Sequence, residues 1–322
     1  DRVIVAITGG SVAAKFGYQG VRAFERELAR DPAYAGQQVV WVRLALAGFK
    51  QPQQLMAVGF LLADGAQFDV VLNIDGFNEI ALPRIDNQSF GVSAIYPRYW
   101  KQQTRSLLDA PTRLQVGEIA YLESRLDALL APPSGLLRYS GVAWLVRSVR
   151  AQRLDAEVAA RHLALAERLR AKAAEERIGP WREYRSRREL GSHLVGIWRR
   201  SSRALHALGR EHGFRYVHVL QPSPHVPGSK PLTDDERALV ADEAMLYRDD
   251  ARDFHPLLRR AAGSLAAQGV EIVDATQVFA DVTETLYYDS CCHFDARGNE
   301  LLAEFVARAM RDREGAGAVA VP

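Results

Sequence analysis

The stretch that decides the fold is VIVAITGGSVAAKFG, residues 3–17. It begins with an apolar run rich in β-branched residues, which is typical of a strand buried on both faces. It continues through two glycines and a serine into an alanine-rich segment that favours a helix. Such a turn displays its residues, here Thr8 to Ser11, at the carboxyl end of the strand. The turn must therefore bind a dinucleotide, hold a triphosphate or expose a serine nucleophile.

The alternation of strand and helix patterns recurs along the chain. Continuous apolar strand patterns separated by helical patterns predict a parallel sheet covered on both faces, which is a doubly wound α/β fold. We count five predicted strands, at residues 3–8, 38–46, 69–75, 216–222 and 270–276.

Strand patterns are missing between about residues 95 and 200, where strong helix formers recur at helical spacing. We therefore expect an α/β core at 1–95 and 205–313, a large helical insertion at 96–204 and a flexible tail at 314–322. Ligands bind at the carboxyl ends of parallel strands, so we expect the insertion to act as a lid or to shape the substrate site.

Composition excludes several classes of protein. The chain has 322 residues, 48% of them hydrophobic, and a net charge of only +2, so we expect a globular protein without a nucleic-acid partner. No run approaches about 18 apolar residues without charge, so no transmembrane helix is expected. The chain begins one residue before a core strand, which is compatible with removal of an upstream export or anchor segment. Compartment, membrane attachment through such a segment and oligomeric state therefore remain open.

We expect neither a cofactor nor a metal. The histidines are scattered and lack the paired spacing of zinc ligands. The two cysteines, Cys291 and Cys292, are adjacent, and a disulfide between neighbours would be strained. We interpret them as two small buried apolar residues, with a vicinal disulfide as the alternative.

Phosphate binding by the first turn fails on spacing. A P-loop needs Gly-Lys followed by Ser or Thr, but Lys15 follows Ala14 and precedes Phe16. In the pattern G-x-G-x-x-G, counting from Gly9 places Ser11 and Ala14 at the required glycines. Counting from Gly10 places Val12 and Lys15 there, so a dinucleotide turn is excluded.

A serine nucleophile fits the same turn better. The two glycines allow a sharp bend, and Ser11 then falls at a helix N-terminus, where free N–H groups favour developing negative charge. The alternative is that Ser11 only caps the helix, which is a common use of serine.

Three further stretches complete a recognisable set. They are LALAGFKQPQQL (44–55) with Gly48, NIDGFNEI (73–80) with Asn78, and YYDSCCHFDARGNELLAEFV (287–306) with His293. Together with the first turn, their order and spacing resemble the sequence blocks of the SGNH (GDSL-type) hydrolases. The resemblance covers the α/β core at both ends of the chain and does not extend to the helical insertion.

The resemblance implies a serine esterase on a flavodoxin-like, three-layer fold. Ser11 would be the nucleophile, and His293 the general base and later the general acid. The amides of Ser11 and Gly48 and the side chain of Asn78 would form the oxyanion hole. The partner would be an ester-bearing small molecule, a lipid or an acylated glycan, and no cofactor would be needed.

The sequence departs from the family pattern at two positions. Gly10 replaces the aspartate of Gly-Asp-Ser, and we expect altered local support with retained chemistry. The family's orienting aspartate usually stands three residues before the histidine, where this chain has Ser290. Asp289 stands four before, so either a bulge brings it to His293 or the enzyme is a Ser–His dyad. We prefer Asp289, and we expect Asp295 to cap the last helix.

Alternatives remain for the activity. The same acyl-enzyme could pass its acyl group to a glycan hydroxyl, as an O-acyltransferase. A non-catalytic module that binds glycan or lipid on this fold is the other alternative, in which Ser11, Gly48, Asn78 and His293 would have only structural roles.

Four further features receive weaker interpretations. Glu79 is interpreted as a solvated carboxylate, and His225 and Lys230 as candidate substrate contacts. The arginine-rich stretch 181–203 is interpreted as a solvated helical face. The apolar stretch GLLRYSGVAWLV (135–146) is interpreted as core packing of the insertion, with an acyl- or membrane-facing groove as the alternative.

Overall fold

Five parallel strands form a single sheet in the spatial order β2-β1-β3-β4-β5. This is the flavodoxin-like order of doubly wound folds, so the predicted α/β fold class is confirmed. The computed structural model describes residues 2–104, 109–130, 140–173, 177–241 and 245–317. The strands are β1 Arg2–Gly9, β2 Gln38–Arg43, β3 Val70–Asp75, β4 Arg215–Leu220 and β5 Glu271–Asp274.

Helices cover both faces of the sheet because successive strand residues point to opposite sides. In β1, Ile7 belongs to the core on one face, with Phe16 and Met310, and Ala6 belongs to the core on the other, with Trp198 and Leu258. The helices of this part are α1 Ser11–Lys15, α2 Val21–Leu28, α3 Gln53–Ala63, α4 Phe77–Leu82, α8 Arg187–His212, α9 Asp234–Ala241, α10 Arg248–Ala266 and α11 Ala296–Gly317.

The chain divides into two compact units. The sheet unit comprises Asp1–Ile85, Ala94–Arg98 and Arg182–Pro322, and the helical unit comprises Asp86–Ser93 and Tyr99–Trp181. Helix α11 continues to Gly317, into the segment expected to be a flexible tail, and residues 318–322 of that segment lie outside the described residues.

The helical unit contains α5 Trp100–Gln103, α6 Ala110–Leu130 and α7 Gly141–Ala173. Helices α6 and α7 pack through a small apolar cluster of Leu122, Leu154 and Val158, with Leu126 and Leu129 at its margin. None of the helices within the described ranges is long and apolar enough to cross a bilayer.

The arginine-rich stretch 181–203 lies before and within α8. All seven of its arginines are exposed, as expected for a solvated face, whereas its Trp198 is fully buried against the sheet.

Candidate active site

The turn after β1 is built around two glycines that have no room for a side chain. Gly9 has φ +141°, and a Cβ there would lie 2.0 Å from the carbonyl oxygen of Ile74. Gly10 precedes the first helical residue and makes no side-chain cap, so Ser11 occupies the first position of α1 and does not cap it. Ser11 is therefore not the N-cap residue of α1.

The Ser11 hydroxyl lies against His293. The distance from Ser11 Oγ to His293 Nε2 is 2.6 Å, although 282 positions separate the two residues in sequence. The other ring nitrogen, Nδ1, is hydrogen-bonded to Oδ2 of Asp289. Because a carboxylate can only accept, Nδ1 carries the ring proton and Nε2 offers its lone pair to the serine hydroxyl.

Asp289 reaches the imidazole because its loop folds back on itself. Tyr287 and Phe294 form an isolated antiparallel bridge, which closes the segment between them. The second carboxylate oxygen, Oδ1, accepts the backbone N–H groups of Cys291, Cys292 and His293 at 3.1, 3.1 and 3.2 Å. The extra residue relative to the family spacing is accommodated in this turn.

The surroundings keep Asp289 charged. Burial acts to raise its pKa, but the hydrogen bond and charge of His293, with the backbone N–H donors, outweigh burial and lower the pKa below its ordinary value. An ionised carboxylate at neutral pH is the form that orients an imidazole and stabilises its protonated state.

Three candidate oxyanion donors lie around the same turn. Gly48 has φ +78° in the loop after β2, and Asn78 lies in the first turn of α4. Within the described chain, the backbone amides of Ser11 and Gly48 have no hydrogen-bond acceptor. Asn78 Nδ2 donates one N–H to the carbonyl of Phe49 at 2.7 Å, which leaves its second N–H for a ligand.

Gly10 allows Asn78 to come this close. A Cβ on Gly10 would lie 2.3 Å from Asn78 Nδ2 and 3.3 Å from the Phe49 carbonyl oxygen. The Asn78 amide therefore occupies the space that a side chain at position 10 would need.

A buried carboxyl group joins the loop after Gly48 to the start of α4, which carries Asn78. Glu79 accepts the backbone N–H of Gly76 at 2.8 Å, the backbone N–H of Gln51 at 3.0 Å and the side-chain amide of Gln54 at 3.0 Å. Burial, and then the negative charge of Asp75, raise the pKa of Glu79 to about 8, and the backbone donors oppose that rise. The interpretation of Glu79 as a solvated carboxylate is wrong.

Lys50 is a support that the sequence pattern did not indicate. Its side chain is buried, and Nζ donates to the carbonyl oxygens of Ala94 and Tyr96 at 2.5 and 2.6 Å. Its position next to the Gly48–Phe49 turn ties that turn to the segment Ala94–Arg98. No local sequence signal distinguishes such a lysine from a solvated one.

His225 and Lys230 support the loop of Asp289 and His293. His225 Nε2 is 2.8 Å from the carbonyl oxygen of Ser290. Lys230 is paired with Glu236 at 2.7 Å, and the other oxygen of Glu236 accepts the backbone N–H groups of Leu286 and Tyr287 at 2.9 Å each. Both side chains are buried and bonded within the protein, so the expectation of direct substrate contact is replaced by a supporting role.

The predicted cap of the last helix is confirmed. Asp295 Oδ1 accepts the backbone N–H of Gly298 at 2.9 Å, at the start of α11. This cap fixes the helix that directly follows His293.

A second Ser–His–Asp set lies inside the sheet unit. Ser202 Oγ is 2.8 Å from His218 Nδ1, and His218 Nε2 is 2.8 Å from Asp75 Oδ1, which also accepts Trp198 Nε1 at 2.6 Å. Burial acts to raise the pKa of Asp75, but the charge and hydrogen bond of His218, with the other donors, lower it. All four side chains are fully or almost fully buried, so this set has no access for a substrate.

The adjacent cysteines are free thiols, half-buried at Cys291 and buried at Cys292. Burial raises the pKa of the Cys292 thiol well above its ordinary value, which fits the interpretation as a small apolar residue. Their sulfurs and a nitrogen of His293 lie within 4.8 Å of one another. Both nitrogens of that ring already have protein partners, so a metal ion there would compete with the Ser11 and Asp289 contacts.

No protein-family model and no curated protein sequence matches the chain. Among solved structures, the chain is similar to an acetyl xylan esterase, with 11% identity, a TM-score of 0.41 and coverage of 95% of this chain and 99% of the other. It is similar to a lipase/acylhydrolase from Enterococcus faecalis, with 12% identity, a TM-score of 0.41 and 97% coverage of both chains. It is also similar to a lipase from a goat rumen metagenome, with 14% identity, a TM-score of 0.37 and coverage of 95% and 97%. Similarity at this level does not identify a function.

Proposed function

We propose that the chain is a serine esterase of the SGNH type, which hydrolyses a carboxylic ester through an acyl-enzyme on Ser11. The observation that carries the proposal is the chain of contacts from Ser11 Oγ to His293 Nε2, at 2.6 Å, and from His293 Nδ1 to Asp289. In an activated serine nucleophile, the serine hydroxyl donates a hydrogen bond to an imidazole nitrogen, and a carboxylate holds the imidazole ring in place.

Acylation follows from this arrangement. As Ser11 Oγ attacks the carbonyl carbon of the ester, its proton passes to His293 Nε2, and the ionised Asp289 stabilises the resulting imidazolium. The carbonyl oxygen takes up the negative charge, and the candidate donors for it are the amides of Ser11 and Gly48 and the second N–H of Asn78 Nδ2. Collapse of the tetrahedral intermediate breaks the ester C–O bond, and the imidazolium gives its proton to the departing alkoxide.

Deacylation repeats these steps with water. His293 takes a proton from a water molecule as the water attacks the acyl carbonyl. The intermediate then collapses by breaking the bond from the acyl carbon to Ser11 Oγ, and the imidazolium returns its proton to Oγ, which releases the acid and restores the Ser11 hydroxyl. The proposal extends to an ester on a small molecule, a lipid or an acylated glycan, and it specifies no acyl group.

Hydrolysis of p-nitrophenyl acetate and butyrate tests the proposal. Ser11→Ala and His293→Ala should abolish turnover and labelling by a fluorophosphonate, because they remove the nucleophile and the base. Ser290→Ala is the matched control, because it changes a serine in the same loop as His293. Ser290 contacts His225 through its backbone carbonyl oxygen, which the substitution keeps. A wild-type chain that neither turns over these esters nor takes the label would overturn the proposal and favour a non-catalytic binding module. Adding a glycan acceptor and analysing products separates hydrolysis from acyl transfer.

A further inference from the structure

The N-terminal turns of α7 have two apolar faces. On one face, Ala151, Leu154 and Val158 are buried, and the latter two pack in the cluster shared with α6. The opposite face carries an exposed stripe at i, i+3, i+4 and i+7 spacing, which places its residues on one side of the helix. We call it the α7 stripe, and it consists of Val142, Leu145, Val146 and Val149, which are 72%, 65%, 43% and 40% exposed.

The α7 stripe corrects the interpretation of the sequence. The stretch 135–146 was expected to pack in the core of the insertion, but the part of it at 142–146 includes three members of the stripe and Trp144, itself 46% exposed. Residues 135–139 lie outside the described residues. The part of this stretch at 142–146 is therefore not core packing of the insertion, because its apolar side chains are exposed.

Positive charge surrounds the α7 stripe. Residues 141–154 contain three arginines, Arg147, Arg150 and Arg153, and no acidic residue. Arg147 donates to the carbonyl oxygens of Ala128 and Leu129 and so joins α7 to the end of α6. Among the residues that the structure describes, neither Arg150 nor Arg153 forms an ion pair.

We propose that the α7 stripe binds the surface of an anionic lipid bilayer. A helix with an apolar stripe and neighbouring arginines is suited to lie in the interfacial plane, with apolar side chains among the acyl chains and guanidinium groups at the headgroups. A second copy of the chain is a poorer occupant, because a two-fold contact would bring the same unpaired arginines together. This inference lies wholly within the helical unit and does not depend on the proposed esterase activity.

Co-sedimentation with vesicles tests the proposal. The wild-type chain should bind vesicles of phosphatidylcholine with phosphatidylglycerol, bind pure phosphatidylcholine weakly, and be released by salt. Leu145→Asp should weaken binding to the anionic vesicles roughly tenfold, because it places a charge in the apolar stripe. The double variant Arg150→Gln with Arg153→Gln should weaken it about thirtyfold, because each arginine near a charged surface contributes about 1 kcal/mol and about 1.4 kcal/mol corresponds to a factor of ten.

Met56→Asp is the matched control, since Met56 is also 65% exposed but lies on α3, in the sheet unit. It should bind like the wild type, and thermal unfolding should be the same for all variants. Absence of binding to anionic vesicles, or equal loss in Met56→Asp, would overturn the proposal. The proposal would also be overturned if the wild type were a dimer, and if Leu145→Asp made it a monomer without changing vesicle binding. That result would mean that the stripe forms a contact between two copies of the chain.

Discussion

Replacing Gly10 by alanine should remove most of the proposed esterase activity without unfolding the protein. Gly10 has φ −85° and ψ −154°, an extended conformation that alanine adopts freely, so the backbone is not strained by the change. The new Cβ, however, would lie 2.3 Å from Asn78 Nδ2, whereas ordinary contacts begin at 3.4 Å. The amide of Asn78 would have to move away by about 1 Å, because the opposing atoms at position 10 are fixed in the backbone.

Two magnitudes follow from that displacement. The hydrogen bond from Asn78 Nδ2 to Phe49, now 2.7 Å, would be weakened or lost, which costs about 0.5–1.5 kcal/mol of stability. Loss of one preplaced oxyanion donor costs about 2.7–4 kcal/mol in the transition state, or a decrease of about 10²–10³-fold in kcat. The effect on activity should therefore greatly exceed the effect on the free energy of unfolding. Aspartate, the residue of the family pattern, should be at least as harmful as alanine at this position.

The assay is kcat for a p-nitrophenyl ester, measured beside urea unfolding for wild type, Gly10→Ala, Asn78→Ala and the double variant. If Gly10 acts through Asn78, the two single losses should not add in the double variant. Gly17→Ala is the control, because a Cβ there meets only ordinary contacts, the nearest at 3.5 Å. A Gly10→Ala enzyme that keeps kcat within about threefold, or losses that add fully, would refute the steric explanation.

Three further changes have defined outcomes. Asp289→Asn should lower kcat by about 10⁴-fold with little effect on unfolding, as expected for loss of an orienting carboxylate, whereas a nearly unchanged kcat would favour a dyad. Glu79→Gln should flatten the pH dependence of the free energy of unfolding. Burial and the charge of Asp75 raise the pKa of Glu79 from 4.5 to about 8, so the wild-type protein loses stability as the pH rises from 4.5 to 8. Urea unfolding measured from pH 4 to 9 gives this slope for the wild type and the variant. Glu236→Gln should cost about 3–5 kcal/mol in urea unfolding, because it leaves the buried ammonium of Lys230 unpaired, and an unchanged midpoint would contradict that estimate.

The fold was predictable because its signals are local. Each strand of a sheet buried on both faces is a short continuous apolar run, and β3, residues Val70–Asp75, is buried at every position. Runs of this kind are visible without knowledge of their neighbours. The parallel arrangement then follows from the helices that separate the strands, so the strand pattern was sufficient to predict the α/β class.

The supports of the site were not predictable, because their partners are distant in sequence. Glu79 is buried through donors that include Gln51 and Gln54, more than 20 positions away. Nothing adjacent to Glu79 separates this environment from a solvated one. The α7 stripe could not be predicted to be exposed, because apolar periodicity identifies an apolar face of a helix and does not show whether that face is buried.

The two Ser–His–Asp sets explain why residue types alone do not define a catalytic site. Ser202, His218 and Asp75 form the same chain of hydrogen bonds as Ser11, His293 and Asp289, yet they are buried inside the sheet unit, where a substrate would have to displace Trp198. Their hydrogen bonds neutralise the cost of burying a carboxylate in the core. Ser11 differs in its surroundings, because it begins a helix beside two backbone amides without acceptors and an asparagine with an N–H to spare. Access and preplaced donors, more than the identity of the three side chains, therefore make Ser11 the residue on which catalysis should depend.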